Sequence, residues 1–212
     1  MSHCAAPFVM VSSLVLNVGA GEFSEGNAVA WGAFASDNAA VSVRDDARRV
    51  RVGAQSVRLV TASGFDTGVR YPAAPTAHWD ASTNTHLAFW TFADNTNSAG
   101  FQGNQPVVVL KTASGSYRYE PAGNETPNRV WAFHRVPLAG DARWTRTATG
   151  APTLGDVNQI EIHQDTWDYG FTIYYDGLEF ASIASGGNPP PGPPPPPGVN
   201  SDLVRARATL RL

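Results

Sequence analysis

The chain is 212 residues long, 42% hydrophobic and 16% charged, with a formal net charge of -3. Such a length predicts one β-rich domain of about 150 to 180 residues with extra segments, and the weak acidic charge, without a basic cluster interleaved with aromatics, gives no general pull toward nucleic acid and argues against such a partner. A single cysteine, Cys4, excludes an internal disulfide framework and a cysteine-built zinc site.

With 20 Gly and 16 Pro between short apolar runs, the pattern predicts many short strands joined by turns and almost no helix. Residues 1–13 read as an N-terminal arm or extra strand, and the domain runs over residues 14–184. The apolar run 5–18 lacks a Lys/Arg-bearing start and is interrupted by Ser12, Ser13 and Asn17, so it reads as strand and not as a signal peptide. It is also too short and too interrupted to span a bilayer. Glu22 and Glu25 follow on a glycine-rich loop over residues 19–27.

Strands are predicted at residues 40–43, 56–61 and 68–71, with Asp45-Asp46 and the turn 62–68 as separators. The most aromatic strand covers residues 86–92. Leu87, Phe89 and Thr91 share one of its faces, while His86, Ala88, Trp90 and Phe92 share the other, so a large ring leaves the main core. Residues 106–110, 117–120 and 129–136 continue the series. Residues 160–180 then alternate at Ile160/Ile162 and at Phe171/Ile173/Tyr175 around a polar loop containing Gly170, the pattern of a β-hairpin with a polar, aromatic tip. The total is about ten strands.

Past residue 184 the composition changes. Residues 185–200 are Pro/Gly-rich and read as a polyproline II spacer. In residues 201–212, Val204, Ala206, Ala208, Leu210 and Leu212 alternate with Arg205, Arg207, Thr209 and Arg211, which predicts one strand with an apolar and a cationic face. One strand cannot fold alone; it either opens a further β-domain or is donated to a neighbouring copy, the route to self-association and an open filament.

Four segments together carry a family resemblance: Val50 to Leu59, Leu87-Ala88-Phe89-Trp90, Trp131 with Val136-Pro137-Leu138, and Phe171 to Phe180. In this series the chain, over about residues 14–180, resembles the non-catalytic carbohydrate-binding modules of the galactose-binding-like jelly-roll type. The resemblance implies an all-β, two-sheet antiparallel β-sandwich, an extracellular or cell-surface setting, a polysaccharide or glycan partner and a structural Ca2+. The calcium ligands it implies are Glu22 and Glu25 with Asp176 and backbone carbonyls around residues 51–53, oxygen donors of the kind calcium requires.

Sugar binding asks for aromatic rings against pyranose CH faces and polar groups for hydroxyls on one surface. Candidates are Trp90 and Phe92 on the aromatic strand, Glu161 and His163 on the outward face of the hairpin's first strand, Tyr174 on its second, and Trp167 and Tyr169 at the tip. Trp31, Trp79, Trp131 and Trp144 read as core or edge plugs. For catalysis, Glu161, Asp165 and Asp168 could be cast as a glycosidase carboxylate pair, and Tyr174, His163 and Arg58 as a lytic set. No mechanistic motif enforces either geometry. The leading reading is therefore non-catalytic binding of polysaccharide, ahead of a filament subunit joined by strand exchange through the tail, with a polysaccharide-degrading enzyme third.

Overall fold

Runs in which β-branched and aromatic residues alternate with polar ones pack one side of each strand inward. The computed structural model describes residue 23 and residues 28–37, 40–95 and 103–182. Among them are eleven strands: β1 (Gly32–Ala35), β2 (Val41–Asp46), β3 (Ser56–Thr61), β4 (Asp66–Tyr71), β5 (His86–Asp94), β6 (Val107–Thr112), β7 (Gly115–Pro121), β8 (Trp131–Pro137), β9 (Trp144–Gly150), β10 (Val157–Asp165) and β11 (Phe171–Ala181). Helix among the described residues is confined to single 3-10 turns at Ala28–Ala30 and Leu154–Asp156. The N-terminal arm 1–13, the apolar run 5–18 read as strand, Cys4, Glu22, Glu25, the spacer 185–200 and the terminal strand with Val204, Ala206, Ala208, Leu210 and Leu212 lie outside the described residues.

The strands form two antiparallel sheets, one of six in the order β1-β4-β10-β6-β7-β9 and one of five in the order β2-β3-β11-β5-β8. Their inner faces close over one core that includes Leu59, Leu87, Phe89, Leu110, Tyr119, Ile160, Ile162, Ile173 and Tyr175, all fully buried. Each such side chain contributes about 1.5–3 kcal/mol relative to exposure. Trp31 and Trp144 belong to this core. Trp79 plugs an edge with Phe23, Tyr71 and Phe180, its ring centroid 5.1 Å from that of Phe23 and 5.9 Å from that of Tyr71. Trp131 instead lies half-buried on the outer side of the five-stranded sheet, 5.5 Å from Phe92.

Residues 160–180 are not a hairpin. β10 pairs with β4 and β6 at the centre of the six-stranded sheet, whereas β11 pairs with β3 and β5 at the centre of the other. Apolar alternation marks an inward face without naming its pairing partner, so a hairpin and a connection that crosses between sheets leave the same trace in sequence. Three further differences come from edge strands. Asp45 and Asp46 sit inside β2, opposite Val57 and Ser56. β1 is four residues long. β9 buries only its first residue, Trp144, and exposes the other six, so little alternation announces it.

Candidate functional site

Because Ile160 and Ile162 face the core, Glu161, His163 and Asp165 of β10 face outward from the six-stranded sheet. Register then brings the outward residues of neighbouring strands beside them. Asp66 lies opposite Asp165, Gly68 opposite His163, and Val107 and Val109 opposite His163 and Glu161. A Cβ on Gly68 would stand 2.7 Å from the Phe34 ring and 2.3 Å from the Ile162 carbonyl oxygen. Its absence lets Phe34 lie across β4 and meet the His163 ring edge-on at 4.8 Å.

Of these, Asp66, Val107, His163 and Asp165 floor a groove of about 440 Å³ that is also lined by Phe65, Asn104, Gln105, Arg118, Glu120 and Trp167. One bank carries Arg118 and Glu120 of β7, whose side chains pair at 3.6 Å. The other carries two rings, Phe65 at 54% and Trp167 at 44% exposure. Their positions are set by backbone bonding between the β10–β11 connection and the turn before β4. Thr166 N–H donates to the Phe65 carbonyl at 2.7 Å and Asp168 N–H to the Gly64 carbonyl at 2.8 Å. The Thr166 hydroxyl donates to the Gly64 carbonyl at 2.5 Å, and the Asp168 carboxylate accepts from Gly64 N–H at 3.1 Å. Trp167 and Asp168 both adopt left-handed backbone, φ 47° and 61°. For Trp this is a strained state that the surrounding bonds must impose.

The floor is electrostatically coupled. His163 Nδ1 lies 3.1 Å from an Asp66 oxygen and Nε2 lies 3.5 Å from Glu161, which also accepts from the Lys111 ammonium at 2.7 Å. Burial alone would lower the pKa of His163, but its hydrogen bonds to Asp66 and Glu161 outweigh that and raise it above the ordinary 6.5. Burial pulls Glu161 upward, and the bonds from His163 and Lys111 more than reverse it, so its carboxyl stays below the usual carboxylate value. At Asp165, burial raises the pKa and the facing Asp66 adds to it, against hydrogen bonds from the backbone and side chain of Trp167.

The residues singled out in the sequence do not form one surface. Glu161, His163 and Trp167 reach this face; Tyr169 is exposed at the tip but does not line the groove. Trp90, Phe92 and Tyr174 point outward as expected, but from the five-stranded sheet on the opposite side of the sandwich. They are only 8%, 7% and 7% exposed, because arginines cover them. The Arg49 guanidinium carbon stands 4.0 Å from the Phe92 ring centre and 5.3 Å from that of Tyr174, and Arg51 stands 4.4 Å from Trp90. The expectation of an open ring platform there is thereby corrected. Both sets cast for catalysis are dispersed as well. Tyr174 and Arg58 lie on the opposite face from His163, and Asp168 holds the Gly64 amide instead of facing Glu161.

Asp176 has a structural task in the described part of the chain. Its buried carboxylate accepts from Arg51 N–H at 2.5 Å, Val52 N–H at 3.1 Å and Gly177 N–H at 2.9 Å. Residues 51–53 do come to Asp176, as the calcium reading expects, yet what they present to it are amide hydrogens. The groove residues missed from sequence are Phe65, Asp66, Asn104, Gln105, Val107, Arg118 and Glu120. Asp66 and Phe65 read as a turn, and only the β4–β10 register puts them beside His163.

No family model and no curated protein sequence matches the chain. Solved structures do. The family 11 carbohydrate-binding module of the cellulosomal cellulase Lic26A-Cel5E of Clostridium thermocellum aligns with TM-score 0.53 and 14% identity over 81% of this chain and 99% of its own. The Clostridium thermocellum family 11 module in complex with a β-1,3-1,4-mixed-linked tetrasaccharide gives 0.52 and 15% over 75% and 92%. An exo-β-agarase gives 0.50 and 13%, with 76% of this chain matching 24% of that protein. At such identities the likeness establishes the architecture: the chain folds as a jelly-roll β-sandwich of the type found in carbohydrate-binding modules.

Proposed function

We propose that the protein is a non-catalytic carbohydrate-binding module that takes a segment of polysaccharide in the groove on the outer face of its six-stranded sheet. The observation that carries this reading is the pairing of two held, exposed rings with a polar floor. Phe65 and Trp167 present flat apolar surface to pyranose CH faces, while Asp66, Asn104, Glu120, His163 and Asp165 stand where hydroxyls need partners. Rigid placement of the rings lowers the ordering cost of binding. A binding role without catalysis fits a sheet face whose most buried carboxylate, Glu161, is tied to Lys111 and His163 beside the groove.

Soluble neutral polysaccharides test the proposal in affinity gels and by calorimetry, beginning with mixed-linkage β-glucan, since a structurally similar module was solved with that oligosaccharide. The expected result is binding that Trp167→Ala abolishes; absence of binding to every neutral glycan tried would overturn it. An extracellular setting and a structural calcium belong to the same proposal. Phe23 N–H donates to the Leu178 carbonyl at 2.8 Å, which supports the calcium reading, since Leu178 lies two residues past Asp176 and Glu22 and Glu25 stand beside Phe23 in sequence. Melting with added Ca2+ and with a chelator checks it: a bound structural ion raises Tm by mass action, and coincident melts would remove it.

A further inference from the structure

On the outer face of the five-stranded sheet, register lines up one row across all five strands: Arg44, Arg58, Tyr174, Phe92 and Trp131. The loop between β2 and β3 adds Arg49 and Arg51 above the rings. Residues 44–58 hold five arginines, Arg44, Arg48, Arg49, Arg51 and Arg58, against two acids, Asp45 and Asp46, a local charge of 5 - 2 = +3 in a chain of net -3.

The nearby acids direct their carboxylates to backbone amides or to another arginine. Asp45 accepts from Ala28 N–H, Asp46 from the amides of Arg48 and Arg49, and Asp176 from the amides of Arg51, Val52 and Gly177. Asp94 pairs with Arg129. Among the described residues none of the five arginines forms an ion pair, and the Nε atoms of Arg49, Arg51 and Arg58 are buried without a hydrogen-bond acceptor. Stacking explains why they stay nonetheless. Arg49 and Arg58 stand 5.3 Å and 5.9 Å from the centre of the same ring, Tyr174, so two guanidinium groups are held at one ring by aromatic contact.

We propose that this face is a second glycan site, distinct from the groove, that takes the carboxylate or sulfate groups of an acidic polysaccharide. Two fixed guanidinium forks suit planar oxyanions, and Trp131 ends the row as a half-buried ring with no arginine of the described residues over it, beside Phe92 at 5.5 Å, where the sugar bearing the anion can stack. A single-stranded nucleic acid fits less well, since bases need exposed rings and Trp90, Phe92 and Tyr174 are at most 8% exposed. The ligand class rests on the reading of the protein as a glycan binder, while the site does not use the groove.

Affinity electrophoresis in polygalacturonate, in dextran sulfate and in neutral mixed-linkage glucan tests it, with poly(dT) as competitor. Wild-type protein should be retarded by one or both polyanions, the one that acts telling carboxylate from sulfate, and added salt should weaken that retardation. Arg49→Gln/Arg58→Gln should lose about tenfold or more in polyanion affinity and keep its binding to neutral glucan, which also reports an intact fold. Should that double variant fail to fold, the exposed Arg44→Gln should still weaken polyanion binding by about threefold. Trp167→Ala should show the reverse pattern, so that failure of the groove and failure of this site are read separately. The proposal is overturned by absent polyanion retardation at low salt, by retardation that survives the arginine substitutions, or by poly(dT) binding as tightly as the polysaccharide.

Discussion

Trp167 and Phe65 on one side of the sandwich, and Trp90, Phe92 and Tyr174 on the other, are all outward-facing rings next to charged groups, yet only the first pair is open to a ligand. What separates them is the loop above each sheet. The β10–β11 connection turns back onto residues 64–65 through backbone bonds and leaves its rings at the groove rim. The β2–β3 loop, tied by its amides to Asp176, instead brings Arg49 and Arg51 over theirs. An outward aromatic is therefore a binding residue or a scaffold residue according to what covers it, and the covering segment here is more than a hundred residues away in sequence from Tyr174 and Asp176.

The largest test of that contrast is Asp176→Ala. It leaves three amide donors without their acceptor at a buried point, and about 3 kcal/mol or more of stability should go with it in urea denaturation. A loss below about 1 kcal/mol would show that the loop is held by other means. Trp90→Ala comes next, at about 2–3 kcal/mol of stability from lost packing and the lost arginine contact, with neutral-glucan affinity unchanged. Loss of that affinity in a folded variant would make the covered ring a ligand ring and collapse the distinction between the faces.

Trp167→Ala should act in the opposite sense, changing stability by no more than about 0.5 kcal/mol while weakening glucan binding by about tenfold or more, measured calorimetrically. The smallest effect concerns pH. His163 has a native pKa above 6.5, so it binds its proton more tightly folded than unfolded. Its contribution to stability is complete below pH 6.5 and is lost as pH rises through the native value. The stability advantage of wild type over His163→Gln should accordingly shrink as pH rises above 6.5; a constant gap would mean that the Asp66–His163–Glu161 contacts do not depend on the charge.

Much of the architecture was legible in the sequence. The all-β class, the scarcity of helix and most of the strands follow from apolar alternation, because burying one face of a strand forces a period of two wherever the core lies. β3 was found over its observed bounds, and β5 with its two faces assigned correctly. Two edge strands, β1 and β9, escaped, the second because it buries only Trp144 and carries threonines and Arg146 in place of alternating apolar residues. The candidate site was half legible: Glu161, His163 and Trp167 stood out by residue type, whereas Phe65, Asp66, Arg118 and Glu120 look like ordinary turn and surface residues until β4, β10, β6 and β7 are laid side by side.

Residues 160–180 show where the division falls. Their sequence determines which side chains turn inward, because that choice is local and enforced at every second residue. It does not determine that β10 and β11 belong to different sheets, that His163 meets Asp66, or that Arg49 lies on Tyr174. Those contacts join segments separated by about a hundred residues, and they exist only once two sheets have packed and each loop has settled on the sheet beneath it. A basic cluster interleaved with aromatics, absent from any linear stretch of the chain, is assembled on the five-stranded sheet for the same reason: strand register places Arg44 and Arg58 in line with Tyr174, Phe92 and Trp131.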